Sequence, residues 1–276
     1  MVLTPPSATG TTGFSLSPGG LLLPYHVGAL ASLEYNGHLD PIRSPLAGSS
    51  AGAIAVAAYG CGVSPEKTLE ATIQVSDRCA ERGGARGNLL PFVRQCMEEI
   101  IDENDFHENF IQRRQQQQNQ PKGGEQKLSS MIGICYRELF PRNRPILKTT
   151  FENRQELIQS VSNSCMFPFF STNWPCTVDW SSSSFIPRLV VDGYFAVPRE
   201  RFGCPDFDLM LEDTELIEDD DKKSLQLLPN RTVAISVFPA DKIGLTAFDK
   251  NDVISPSSSE DIERLFRIAT KSTSRE

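Results

Sequence analysis

The 276-residue sequence has only three histidines, His26, His38 and His107, and none in its C-terminal half. The order Ser, Asp, His of an ordinary α/β hydrolase triad is therefore absent, which argues against that class. Cationic excess is also missing: 27 Lys and Arg face 35 Asp and Glu, for a net charge of −8. No basic cluster stands out beyond Arg113-Arg114, so nucleic acid is not an expected partner. The seven cysteines (61, 79, 96, 135, 165, 176 and 204) are odd in number and form no CxxC pair. That spacing excludes a disulfide frame and a zinc site, and reads as reduced intracellular thiols. Long hydrophobic runs are absent. Gly19 to Leu33 is apolar but broken by Pro24, His26 and Gly28, short of the ~20 residues that cross a bilayer. The first basic residue is Arg43, so neither a secretory signal nor a transmembrane segment is expected. The acidic stretch Glu212 to Asp221 lacks the spaced Asp/Asn-Gly pattern of a calcium loop. No cofactor or metal is expected.

What is present alternates strand and helix signals. The length suits one large α/β domain or two small ones. Residues 1–12 read as a loose tail, and Gly13 to Ser17 as a short strand entering the turn Pro18-Gly19-Gly20. A helix is expected from about Pro24, with Val27, Leu30 and Leu33 at helical spacing, to Asn36-Gly37. Pro45 to Ala47 reads as a strand, and Ala53 to Ala58 as an apolar helix ended by Gly60. Ser64-Pro65-Glu66 opens another helix, with Leu69, Ile73 and Val75 on its buried side. After Gly83-Gly84 a further helix carries Leu89, Val93, Cys96, Met97 and Ile100 on one stripe.

Residues 112–127 form a polar insertion with four consecutive Gln, and 212–221 a solvated acidic loop. Met131 to Tyr136, Ile146 to Thr150, Leu189 to Val191 and Thr232 to Phe238 read as strands, and Gln155 to Val161 as a helix. The catalytic unit would span 13–245, and 246–276 a tail with a short helix near Ile262 to Ala269. The pattern predicts a three-layer α/β/α sandwich with a mainly parallel central sheet.

Gly48-Ser49-Ser50-Ala51-Gly52 fits G-x-S-x-G, a strained strand-to-helix turn that presents its central serine, here Ser50. Flanking Gly48 and Gly52 allow the strand and helix to approach closely. With no late histidine, either a carboxylate acts directly on Ser50 or Ser50 is not a nucleophile. The candidate carboxylate is Asp192, which ends the apolar run Leu189 to Val191 and precedes Gly193. Taken alone, Asp192-Gly193 reads more readily as a simple turn. Gly19 and Gly20 sit at a strand-to-helix junction where amides can converge on an oxyanion, whereas Pro18 has no N–H to offer.

These three elements, in this order, resemble the patatin-like phospholipase family. Its members carry a glycine-rich oxyanion turn, G-x-S-x-G, and a distant D-G-[GA]. The resemblance runs from about residue 13 to 245 and includes Tyr25 to Gly28, Leu46 to Ile54, Gln155 to Phe170 (with the "S-x-x-x-P" segment), Val191 to Gly193 and Thr232 to Phe238. It implies a Ser–Asp dyad of Ser50 and Asp192, an oxyanion hole from Gly19 and Gly20, and a structural His26. It also implies hydrolysis of a phospholipid or glyceride ester at a membrane or lipid-droplet surface; the cysteine usage points to an intracellular setting, with cytosol, plastid and lipid droplet all open. Three positions depart from the family pattern. Pro18 replaces the first turn glycine, Leu23 a later one, and Tyr194 the small residue after Asp192-Gly193. A catalytically weak lipid-binding or scaffold protein and a lipid acyltransferase are the alternative readings.

Overall fold

The structure is a computed structural model that describes residues 11–41, 43–112, 132–180, 187–209, 228–258 and 260. The helix expected near 262–269, nearly all of the 112–127 insertion and the 212–221 loop lie outside the described residues.

Among the described residues, eight strands form one mixed sheet: β1 (Thr12–Leu16), β2 (Leu46–Ser49), β3 (Ile132–Phe140), β4 (Arg144–Lys148), β5 (Thr177–Asp179), β6 (Arg188–Val191), β7 (Arg231–Ile235) and β8 (Val253–Ile254). The helices are α1 (Leu23–Tyr35), α2 (Ala51–Gly60), α3 (Pro65–Glu81), α4 (Leu89–Ile100), α5 (Glu103–Phe106), α6 (Arg154–Ser164) and α7 (Ala240–Ile243). The strand order is β5-β6-β3-β2-β1-β7-β8, and β4 pairs with the free side of β3. Strands β3, β2, β1, β7 and β8 run parallel, as the alternating pattern predicts. β4, β5 and β6 add antiparallel pairings at one edge. Pairing direction is set by tertiary contacts and cannot be read from runs of three to five apolar residues.

The two faces of the sheet are covered unequally. Phe14, Leu16, Leu46, Ile132, Ile134, Val233 and Ile235 share one large core with α1, α2, α3, α4 and α6. The alternate residues face the other way, as the two-residue strand period requires. On that side Ala47, Cys135 and Leu147 meet Ala196 and Phe207, and Ala234 and Val253 meet Cys204 and Leu245. Short helical turns at Gly193–Ala196 and Arg199–Arg201, together with α7, make up this thinner layer.

Helix starts follow their capping chemistry. Ser64 Oγ accepts the Lys67 N–H at 3.2 Å ahead of α3, and Asn153 Oδ1 accepts the Glu156 N–H at 2.9 Å ahead of α6. The buried stripe of α4 matches the five residues expected. That of α3 does not: Thr68, Ala71, Thr72, Val75, Ser76 and Cys79 are buried, while Leu69 and Ile73 are only half-buried. Small side chains and threonines that bond back to the helix let α3 pack closely, as Thr72 Oγ1 does to Thr68 O at 2.8 Å. β8 and the Arg231–Asp252 ion pair extend the ordered sheet past residue 245. All seven cysteines are free thiols.

Candidate active site

β2 ends at Ser49 and α2 begins at Ala51, so Ser50 alone makes the turn between them. Its backbone lies at φ 54°, ψ −118°, a conformation that costs a non-glycine residue about 1–3 kcal/mol. Ser49 is fully buried, whereas Ser50 is partly open to solvent. The neighbouring glycines are required by backbone proximity. A Cβ on Gly48 would collide with the backbone of Gly52 and Ala53, and one on Gly52 would stand 2.6 Å from Leu16 O. Ser50 is also the N-cap of α2, whose free N–H groups favour negative charge at this point.

Asp192 reaches the same point from the antiparallel edge. β4 occupies one side of β3, so β2 and β6 share the other side, one beyond the other. Ser49 pairs with Cys135, and Val191 pairs with Arg137. The next residue of each strand, Ser50 and Asp192, therefore falls at Tyr136. β2 and β6 meet head to head, and their C-terminal ends bring the two residues together. Gly193 has no room for a side chain there, since a Cβ would strike Cys135 O and come within 2.6 Å of Ser49 Oγ.

Asp192 is fully buried. Its Oδ1 accepts the Tyr194 N–H at 2.8 Å, and its own N–H donates to Met166 O at 2.9 Å. Its Oδ2 makes no hydrogen bond of normal geometry among the described residues. Burial pushes the carboxyl up to about 7, while the Tyr194 amide and the nearby Ser50 hydroxyl pull it back. The Ser50 hydroxyl thus lies close enough to act on the Asp192 carboxyl without a hydrogen bond of normal geometry between them. The Cys165 thiol lies near both groups and is raised well above its usual range by burial, which keeps it protonated.

The glycine-rich turn is carried to Ser50 by β1. Leu16 pairs with Gly48, so the chain after β1 leaves beside the serine. Gly20 has φ 54°, and a Cβ on Gly19 would stand 2.7 Å from Val237. Neither glycine N–H donates to another described residue. His26 stabilises the start of this turn. Its Nε2 lies 2.7 Å from Ser17 O, and burial lowers its pKa to about 4. A neutral imidazole at physiological pH must donate through Nε2 to that carbonyl, and its other nitrogen, Nδ1, is buried with no hydrogen-bond partner among the described residues. Of the other histidines, His38 follows α1 and His107 opens the helical segment His107–Gln112.

The three departures from the family pattern have local explanations. Pro18 packs where a side chain on Gly203 would come within 2.6 Å of its ring. Leu23 is buried in the first turn of α1. Tyr194 serves Asp192 through its backbone, leaving its ring to contact Phe195 at 5.2 Å and Phe202 at 5.6 Å. Phe167 joins this cluster at 5.3 Å from Phe195 and 6.3 Å from Phe170, and Phe170 approaches the Gly20 side of the turn. Aromatic rings therefore run from Gly20 to the residues following Asp192. Beyond them Phe169, Trp174 and Trp180 are 56%, 71% and 72% exposed. Among the described residues, no helix is long and apolar enough to cross a membrane.

Sequence reasoning singled out the segment that starts at Ser164 but missed what Ser164 and the carbonyl of Met166 do at this site. Ser164 Oγ accepts the Ser50 N–H at 2.9 Å and donates to Cys135 O at 2.5 Å. The separation of 114 positions between Ser50 and Ser164 hides that contact from any local pattern.

Curated proteins yield no significant match to the sequence. VipD and ExoU are two of the solved structures that the chain resembles. VipD from Legionella pneumophila is 10% identical, with 96% of this chain and 66% of that one covered and a TM-score of 0.43. ExoU, in its complex with SpcU from the type III secretion system of Pseudomonas aeruginosa, is 18% identical, with 95% and 50% covered and a TM-score of 0.43. The chain thus spans about two thirds of the first and half of the second. The family model for patatin-like phospholipase matches residues 14–201, which carry the serine turn, the Asp192 turn and the glycine-rich turn. The chain belongs to the patatin-like phospholipase family.

Proposed function

We propose that the protein is a lipid acyl-ester hydrolase in which Ser50 is the nucleophile and Asp192 its base. The observation that carries this reading is the meeting of a strained, partly open serine with a fully buried carboxylate near neutrality. A base serves best with a pKa near the working pH. Asp192 takes the Ser50 proton as Oγ attacks the ester carbonyl. The amides of Gly19 and Gly20, with the N-terminus of α2, hold the developing oxyanion. Asp192 then returns the proton to the departing alcohol or lysolipid, leaving an acyl-Ser50 ester. Water, deprotonated by Asp192, releases the fatty acid and restores the serine.

The aromatic rings between Gly20 and Asp192 suit an acyl chain, and support a phospholipid, lysophospholipid or neutral glyceride as substrate. The exposed tryptophans suit a protein working peripherally at a membrane or lipid-droplet surface, and seven free thiols suit a reducing, intracellular compartment. Treatment with a fluorophosphonate followed by peptide mass mapping tests the assignment. Modification of Ser50, with turnover of a chromogenic acyl ester lost in Ser50→Ala and Asp192→Asn, is the expected result. Modification elsewhere sinks the mechanism. The absence of a glycine at Pro18 favours one second reading, a weakly active lipid-binding protein. Lipid binding without turnover in the wild type would support it.

A further inference from the structure

We propose that the turn Ser164-Cys165-Met166, at the end of α6, is the positioning element that fixes the separation of Ser50 and Asp192. The inference rests on the functional reading above. The turn holds the main chain of both residues. Ser164 Oγ takes the Ser50 N–H at 2.9 Å, and Met166 O takes the Asp192 N–H at 2.9 Å. Ser164 is anchored in turn by donating to Cys135 O, on the strand where β2 and β6 meet.

The turn is stiff. Ser164, Cys165 and Met166 are at most 6% exposed, and the Cys165 and Met166 amides close back on Val161 O and Asn163 O. Thr172 Oγ1 also reaches Met166 Sδ at 3.4 Å. Ser50 needs such a partner because its positive-φ backbone persists only when its surroundings over-determine it. Deleting the Ser164 hydroxyl frees the Ser50 amide and lets the nucleophile drift from its base. A misplacement of ~1 Å costs on the order of 10²-fold in rate. Met166 acts through its backbone, so Ser164 is the half of the turn that substitution can reach.

The test measures steady-state ester hydrolysis and the rate of fluorophosphonate labelling at Ser50, in folded protein judged by thermal melting. Ser164→Ala should lower kcat and the labelling rate by roughly ten-fold or more, with KM within about two-fold. Because substitution at a buried site can unfold the protein, Ser164→Thr and Ser164→Val form an isosteric pair that differs only in the hydroxyl. Threonine should restore most of the rate and valine should not. A wild-type rate in Ser164→Ala, equal rates for Thr and Val, or a change confined to KM overturns the proposal. A wild-type protein that does not react at Ser50 overturns the functional reading and this inference with it. Equal rates in a reactive wild type and its hydroxyl-free variants overturn only the positioning role.

Discussion

The two halves of the site are built by different physics. The Ser50 half rests on backbone proximity among β1, β2 and α2, where Gly48 and Gly52 leave no room for a methyl group. All eight residues from Ala51 to Ala58 are buried, and the packing is apolar. The Asp192 half is an antiparallel edge held by charge. Arg188, on β6 itself, bonds Asp179 at 2.6 Å and lies 4.0 Å from Glu138, which is 2% exposed and also faces Arg144 at 3.9 Å. The first half is rigid because nothing else fits. The second depends on ionised partners and therefore on pH and sequence in a way the first does not.

Breaking either member of the pair should give the largest effect. Ser50→Ala and Asp192→Asn should each lower ester turnover by at least about 10³-fold, measured with the chromogenic ester. Next comes the packing of the serine half. Gly48→Ala places a Cβ into fixed backbone and should prevent folding or destabilise by more than about 4 kcal/mol, read by chemical denaturation. On the charged edge, Arg188→Met removes the 2.6 Å ion pair to buried Asp179 and one of the two arginines beside Glu138, and should cost about 3–5 kcal/mol. Activity should fall with it, because β6 carries Asp192.

The pH response sharpens the same contrast. Asp192 must be ionised to act as a base, so kcat/KM should rise with pH through a midpoint near 7. For stability the sign is opposite. A carboxyl raised from 3.8 to about 7 favours the folded state at low pH, and that contribution is lost as pH climbs through about 7. Asp192→Asn should therefore be more stable than wild type above pH 7, by at most about 4 kcal/mol. His26, lowered from 6.5 to about 4, works the other way: its contribution is present above 6.5 and lost as pH falls towards 4. The Asn variant should then expose an acid destabilisation that Asp192 partly offsets in the wild type, read from melting curves between pH 4 and 8. The smallest effect expected is at Gly28, in α1, where no atom lies within 4 Å of an added Cβ. Gly28→Ala should stabilise by about 0.5–1 kcal/mol, in contrast with Gly48→Ala.

Local chemistry made much of this molecule readable in advance. Ser64-Pro65 announced α3, the five-residue stripe announced α4, and Gly48 to Gly52 announced a strand-to-helix turn, each within a few residues of the signal it obeys. The direction of β6 was not readable, since Leu189 to Val191 is compatible with either orientation. β5 and β8, three and two residues long, carry too little pattern to be seen. The partners of Asp192 and Ser50 at Met166 and Ser164, and the ion pairs of Arg188, are contacts between distant segments. They follow from the fold and not from any window of sequence.

The head-to-head meeting of β2 and β6 along β3 has an evolutionary consequence. In an enzyme whose catalytic groups sit on separate loops, a loop can lengthen and the groups can still find each other. Here β3 acts as a ruler, and the interval between Ser50 and Asp192 is counted in its residues, one position from Cys135 and one from Arg137. An insertion or deletion at Tyr136 would change that interval by a whole step of about 3.3 Å and turn the following side chains to the opposite face. Divergence in this chain should therefore tolerate length changes in its surface segments but forbid them in the middle of β3.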